Sequence, residues 1–208
     1  ILKNTEYFYN SKPYIVHRLD KETSGVMIIA KNREYAQLFT SLFRIRKIHK
    51  IYIAVTHGTV NSNLQIMKDD LVLYEKNRKI IQKAISYIKV LKSNNKFSFV
   101  ELKPITGRKH QIRNHLNSIG NPIYGETKFK NFNNFKSNNN FHLHSYSLSF
   151  KDSFNNSKYF SSPMPDYFLD TLKKYNFDST LKDYDLDLND NNNSNKNKWS
   201  KSKKGKVV

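Results

Sequence analysis

The 208-residue chain contains no cysteine, which excludes disulfide bridges, thiolate nucleophiles and cysteine-ligated zinc. No apolar run approaches the roughly 18 residues that a spanning helix needs, so neither a membrane helix nor a membrane partner is expected. The chain opens ILKNTEYFYN, with no Met and no basic stretch leading into an apolar one. No intact signal peptide is therefore expected, and the missing Met reads as a fragment or a processed product. Internal repeats are lacking too. Acid is scarce: 17 Asp and Glu stand against 36 Lys and Arg, a net charge of +19. Such an excess attracts polyanions, of which nucleic acid is the commonest. The Asn runs NNFKSNNN and NDNNNSNKNK show a compositional bias that inflates Lys as well, so the charge permits RNA binding without demonstrating it.

What is present is the patterning of one α+β domain. Two short apolar runs within 13–31, YIV and VMIIA, flank a polar turn and predict strand–loop–strand. From Asn32, a helix N-cap by type, Tyr35, Leu38, Phe39, Leu42 and Phe43 fall at helical spacing. KIYIAVTHG is β-rich, 60–78 is polar, and 80–91 is a weak strand that also fits a helix. KFSFVELKP predicts a strand ended by Pro104, and TGRKHQIRNHLNSIG a helix stopped by Gly120. FHLHSYSLSF resumes as strand, and PDYFLDTLKKY starts a short helix at Pro165. Strands outnumber helices without alternating regularly, which predicts a mixed, mainly antiparallel sheet with flanking helices. The domain is placed at 1–176, with an Asn-rich insertion at about 127–140 read as a solvated loop. Residues 177–208 run acidic, Asn-rich and then basic, with too little apolar content to fold, and are expected to be disordered. No long apolar stripe is left over for a partner chain, so a monomer is expected.

Taken singly, the chemistry-bearing residues have plain explanations. Asp20 beside Thr23, Ser24 and Gly25 suits a turn capped by its own side chain. Tyr52 suits a packing aromatic in a strand, and Arg108, Lys109, His110 and Arg113 a solvated helix face. His142 and His144 share one side of a strand, but no acid sits at a fitting offset, and His110 and His115 miss the i,i+4 spacing of a helical metal pair. No metal is expected.

The segments are more specific together than apart. HRLDKETSG from His17, the Lys-x-Tyr strand ending at Tyr52, GRKHQIRNHL with GNPIYG, and LHSYSLSF stand in an order that resembles the RluA-type pseudouridine synthases, from about His17 to Phe168. The resemblance implies isomerisation of uridine in ribosomal or transfer RNA. That reaction breaks N1–C1′ and makes C5–C1′ with no net redox change, so no cofactor is expected. It needs one carboxylate near C1′. By resemblance this is Asp20, with attack on C1′ and abstraction of a ribose proton both open to it. The resemblance makes Arg18 the residue that fills the RNA stack when the base is flipped out. Tyr52 would stack on the base and help remove the C5 proton, Arg113 would pair with Asp20, and Leu143 would pack on the base's other side. His17, Thr23, Arg108 and His110 fall on the substrate side. Relatives carry upstream strands with a Lys-Pro and a glycine turn; only 16 residues precede His17, so those strands are expected to be missing. The family's usual Gly-Asp is Gly125-Glu126 here. A catalytically inactive RNA-binding protein of the same fold is the rival expectation.

Overall fold

The computed structural model describes residues 12–75, 78–128 and 140–177. The expectations about upstream strands, the core of the Asn-rich insertion and the tail from 178 onward fall outside the described residues.

A long sheet organises the molecule. It takes in β2 (Ser24–Gly25), β4 (His49–His57), β5 (Ile66–Glu75), β6 (Arg78–Ser93), β7 (Phe97–Pro104), β8 (Leu143–Lys151) and β9 (Ser157–Ser161). The order is β2-β8-β4-β7-β6-β5, with β9 also on β8. Every pairing is antiparallel except β2 with β8, so the sheet is mixed and mainly antiparallel, as expected. β1 (Tyr14–Ile15) and β3 (Ile29–Ala30) pair separately, giving the strand–loop–strand read from 13–31. The helices are α1 (Arg33–Arg44), α2 (Gln111–Ser118) and α3 (Asp166–Lys174).

Alternation along the strands builds two cores, one per face. Ala54, Val100, Leu102 and Ile88 face Ile112 and Leu116 of α2. Ile53, Val55 and Phe99 face Phe168 and Leu172 of α3, together with Phe177. Phe177, which opens the expected tail, is therefore part of the packed domain.

Two sequence expectations are corrected. The polar stretch 60–78 contains β5, whose ten residues pair with β6 from Ile66–Tyr87 to Glu75–Arg78. The ambiguous 80–91 is strand throughout, because β5 and β7 flank it and take its backbone groups. β9 had no sequence expectation at all. Asn32 does cap α1, its side chain accepting from the Tyr35 N–H at 2.9 Å. α1 nevertheless buries no residue completely, and Tyr35 and Leu38 are exposed.

One glycine positions the site. Gly25 sits at φ +116°, and a Cβ there would lie 2.2 Å from the Ser145 carbonyl oxygen. Only a residue without a side chain lets β2 lie against β8 this closely. Gly25→Ala is expected to lower stability by at least about 2 kcal/mol, from backbone strain and the forced retreat of β2. Urea denaturation checks this; an unchanged midpoint would remove the close approach as a constraint.

Candidate active site

The loop from β1 to β3 carries HRLDKETSG, and a few contacts fix its course. At its start, His17 Nε2 accepts the Ile28 backbone N–H at 2.8 Å, and the ring lies 4.5 Å from that of Phe43 on α1. Just after Asp20, the Thr23 N–H donates to the Asp20 carbonyl at 3.0 Å, closing a turn. At its end, Ser24 Oγ meets His144 Nδ1 at 2.8 Å, and the Val26 N–H donates to the Ser145 carbonyl at 2.9 Å. Ser145 in turn stands opposite Tyr52 across the β8–β4 pair. The end of the loop, β8 and Tyr52 thus lie in register across adjacent strands.

His17, expected on the substrate side, lines the cavity but also ties the loop together. A backbone N–H only donates, so Nε2 is the unprotonated nitrogen. Burial, with the charge of Lys50 adding to it, lowers the imidazole to a pKa of about 4. A folded-state value below the unfolded 6.5 contributes stability that is full above pH 6.5 and is lost as pH falls toward 4. Acidification from pH 7.5 to 5 is therefore expected to cost about 2 kcal/mol through this residue, at 1.36 kcal/mol per pH unit. Urea midpoints of the wild type and His17→Gln at both pH values test it. An equal acid loss in the two proteins would assign the effect elsewhere.

The opposite wall is the segment 104–113. The chain turns into α2 through His110, at φ +53° in the left-handed region, where His is tolerated better than most residues. Gln111 holds this turn. Its Oε1 accepts from Thr106 Oγ1 at 2.6 Å and from the Arg108 N–H at 3.0 Å. Its Nε2 donates to the Ile85 carbonyl at 3.0 Å and to Ser86 Oγ at 2.9 Å. Arg108 adds a bond from Nε to the Lys83 carbonyl at 3.3 Å.

Between the walls lies a cavity of about 540 Å3. His17, Arg18, Asp20, Thr23, Tyr52, Arg108, His110, Arg113 and Leu143 all line it, so every site residue singled out in the sequence converges here. Arg18 is exposed at the mouth and makes no hydrogen bond or ion pair among the described residues. The Asp20 side chain is more enclosed, at 15% exposed, with Oδ1 3.6 Å from His110 Nε2. Leu143 is buried in the α2-side core. The Thr23 hydroxyl is buried in the cavity wall with no protein partner among the described residues.

Charge in the cavity is arranged by burial. Tyr52 is pushed above the ordinary phenol value, first by burial and then by the charge of Asp20, against a hydrogen bond to Ser145 that works the other way. Its phenol is accordingly protonated at neutral pH. Burial also lowers His110, with Lys128, Arg113 and Lys109 adding to the effect and Asp20 opposing it. His110 therefore faces Asp20 as a neutral imidazole near pH 7.

The partner expected for Arg113 is corrected. Arg113 is 2% exposed, and its guanidinium bonds Glu126 through both Nε, at 2.7 Å to Oε2, and Nη2 to Oε1. Nη1 donates to Glu22 Oε2 at 3.1 Å. Asp20 contributes to its field from farther off. Burial alone would lower Arg113, and the bonds to Glu126, ahead of the charges of Glu126, Glu22 and Asp20, raise it instead. Phe141 closes the guanidinium face at 4.7 Å. A carboxylate one methylene longer than Asp at position 126 reaches the fork and also accepts the Thr127 and Lys128 N–H groups at 2.9 and 2.8 Å.

Sequence reading missed Glu22, Gln111 and Lys50 as site residues and gave Glu126 no partner. One signal was available for the acids: Arg113 sits beside Ile112 on the buried stripe of α2, and a buried Arg demands a counter-charge. His142 and His144, weighed as a metal pair, spend all four ring nitrogens on Asn140 O, Thr171 Oγ1, Ser24 Oγ and Ser162 O.

A carboxylate, a partly buried aromatic, a neutral imidazole and an exposed Arg thus line one cavity beside the mixed sheet. Comparison with known proteins gives the class its name. Residues 1–118 match the family described as RNA pseudouridylate synthase, and the chain belongs to that family. The ribosomal large subunit pseudouridine synthase D of Borreliella burgdorferi is 33% identical over 171 residues, 79% of this chain and 52% of that protein. The ribosomal large subunit pseudouridine synthase C of Rickettsia bellii is 40% identical over 129 residues, 56% of this chain and 42% of the other. The tRNA pseudouridine synthase C of Haemophilus ducreyi is 31% identical over 137 residues, 58% of this chain and 56% of its own. The chain spans about half the length of these curated relatives. The solved human RNA pseudouridylate synthase domain containing 4 shares the fold, with a TM-score of 0.69 at 24% identity over 80% of this chain and 77% of its own.

Proposed function

We propose that this chain carries the catalytic domain of an RNA pseudouridine synthase acting on uridines of ribosomal or transfer RNA. The observation that carries the reading is the convergence of Asp20, Tyr52, Arg18 and Leu143 on one cavity, from segments spread over more than 120 residues of sequence. A binding module has no use for a carboxylate in an RNA groove, where it repels phosphate. At about 540 Å3 the cavity lies within the roughly 300–1,000 Å3 of small-molecule sites, a size suited to a single nucleotide taken out of its stack.

The target uridine therefore leaves its stack, at a cost of a few kcal/mol. Arg18, exposed and uncommitted at the mouth, occupies the vacated position in the stack. The base enters beside Tyr52, with Leu143 on its other side. Asp20 then acts at the ribose, as nucleophile at C1′ or as base toward a ribose proton. N1–C1′ breaks, the uracil turns, C5–C1′ forms, and the C5 proton is lost. Tyr52 serves as a stacking surface and, with its phenol protonated at neutral pH, as a hydrogen-bond donor, while the C5 proton passes to solvent water. Arg113, occupied by Glu126 and Glu22, anchors the loop that carries Asp20.

The test is tritium release from RNA labelled at uridine C5, using large-subunit ribosomal RNA and transfer RNA transcripts. Release with retention of the modified base in the chain is expected from one of them. Tight RNA binding with no release from either would turn the reading toward a binding protein of this fold.

A further inference from the structure

Lys50 lines the cavity and has no part in the proposed reaction. It lies two residues before Tyr52 on β4, so both side chains leave the strand on the same face, and both line the cavity. Its ammonium sits against the turn that leads into α2, since a Cβ at Gly107 would be 3.7 Å from Lys50 Nζ. The strand also places it near His17, whose titration responds to its charge. Among the described residues it makes no side-chain hydrogen bond and no ion pair. Burial alone holds its pKa down at about 8, with no carboxylate acting against that. The contrast with Arg113 is clear: one cation of the site is buried between two carboxylates, and the other is left without any.

A largely buried, unpaired ammonium destabilises a protein, because desolvation disfavours the charge and nothing in the fold offsets it. Residues that break a rule of this kind without local compensation concentrate at functional sites. Asp20 shares the cavity without forming an ion pair with Lys50 or acting on its titration, so an anionic oxygen of a bound group is the partner this ammonium is suited to receive.

We propose that Lys50 is a substrate-binding residue whose ammonium receives an anionic oxygen of the flipped nucleotide. The inference rests on the reading of the site given above. Two oxygens of that nucleotide qualify. One is a backbone phosphate oxygen, negative throughout. The other is a uracil carbonyl oxygen, which takes up charge as N1–C1′ breaks and the bonding pair leaves with the base. In the first case Lys50 holds substrate; in the second it stabilises the leaving group and acts only during the reaction.

Lys50→Met separates these cases and tests the inference itself. Three quantities are read: thermal stability, affinity for fluorescein-labelled oligouridylate across a salt series, and the single-turnover rate of tritium release from C5-labelled ribosomal RNA. Melting temperature is expected to stay level or rise, since an unpaired charge is removed and the chain stem is kept in kind. If the oxygen is a phosphate, affinity falls and the slope of log affinity against log salt decreases by about 0.7, one single-strand contact. If it belongs to uracil, affinity and slope hold while the rate falls about a hundredfold, as for removal of one preorganised donor. In that case RNA carrying 5-fluorouridine, whose base is a better leaving group, should lose less in N1–C1′ cleavage than uridine RNA does. Affinity and rate both within about twofold of wild type would overturn the inference. So would a fall in melting temperature matched by parallel losses of both, which would make Lys50 structural. Should the wild type release no tritium from any RNA, the functional reading fails by itself, and the salt slope then decides Lys50 alone.

Discussion

Asp20→Asn is expected to fold, melt and bind RNA as the wild type does, and to form pseudouridine at least about 10^4 times more slowly. The size follows from what is removed. Deleting a nucleophile leaves only the binding and electrostatic part of catalysis, and such deletions typically cost four to six decades. At about 1.36 kcal/mol per decade this is more than 5 kcal/mol of barrier. The silence of stability and binding follows from the surroundings of Asp20. Among the described residues its side chain meets one neighbour within ion-pair range, a neutral His110 at 3.6 Å, which is beyond a good hydrogen bond. The turn it sits in is closed by its backbone carbonyl and the Thr23 N–H, which the substitution leaves alone. Asn keeps shape and removes charge, so nothing buried is orphaned. Tritium release, a filter-binding curve and a melting curve read the three properties. A rate within tenfold of wild type would demote Asp20 to a turn residue. A joint loss of melting temperature and binding would do the same.

Arg113→Met is expected to have the opposite profile, losing stability first. The substitution leaves the Glu126 carboxylate, only 4% exposed, without the guanidinium that grips both its oxygens. It also frees Glu22, two residues beyond Asp20, from its 3.1 Å tether. Breaking a buried pair from one side costs about 3–5 kcal/mol, because the remaining charge stays desolvated and unpaired. For a domain of this size that is a fall of order ten degrees in melting temperature. Adding Glu126→Gln should recover most of the loss, since the amide oxygen still accepts from the N–H groups of Thr127 and Lys128 and no charge is left behind. Activity should not return with stability, because the segment that carries Asp20 has lost its bond to α2 and Glu22 keeps only the exposed 3.8 Å pair with Lys128. A double-mutant cycle on melting temperature and tritium release separates the two effects. If Arg113→Met melts as the wild type yet is inactive, Arg113 acts on Asp20 or on substrate directly.

These two residues also mark the divide between sequence and structure. Asp20 and Arg113, which both line the cavity, were legible as candidate site residues because their segments resemble a family in which order and spacing are specific. The partner of Arg113 was misassigned because the choice among Asp20, Glu22 and Glu126 depends on which oxygen the buried guanidinium reaches. That is a matter of ångströms, set by how α2 lies against the loop.

The local elements divide in the same way. α1 was visible because its signals are contained in its own residues: an Asn32 cap and apolar positions at helical spacing. β4 and β7 were visible because their branched and aromatic residues are buried on both faces of a central sheet position. β5 looked like a polar loop because it is an edge strand beside β6, with Lys68, Asp69 and Asp70 in its middle. Its structure comes from pairing with a partner strand, a non-local property. β6 was ambiguous for the same reason, and its neighbours on both sides resolve it.

By itself the sequence determined the fold class, the family and part of the set of side chains that meet in the cavity, because each rests on spacing within a segment or on the order of segments. Tertiary structure alone decided that Arg113 is shared by two glutamates while Lys50, on a neighbouring wall, has none. The physical reason is that a charge's partner and its solvation are set by distances across the fold, which no run of residues encodes by itself.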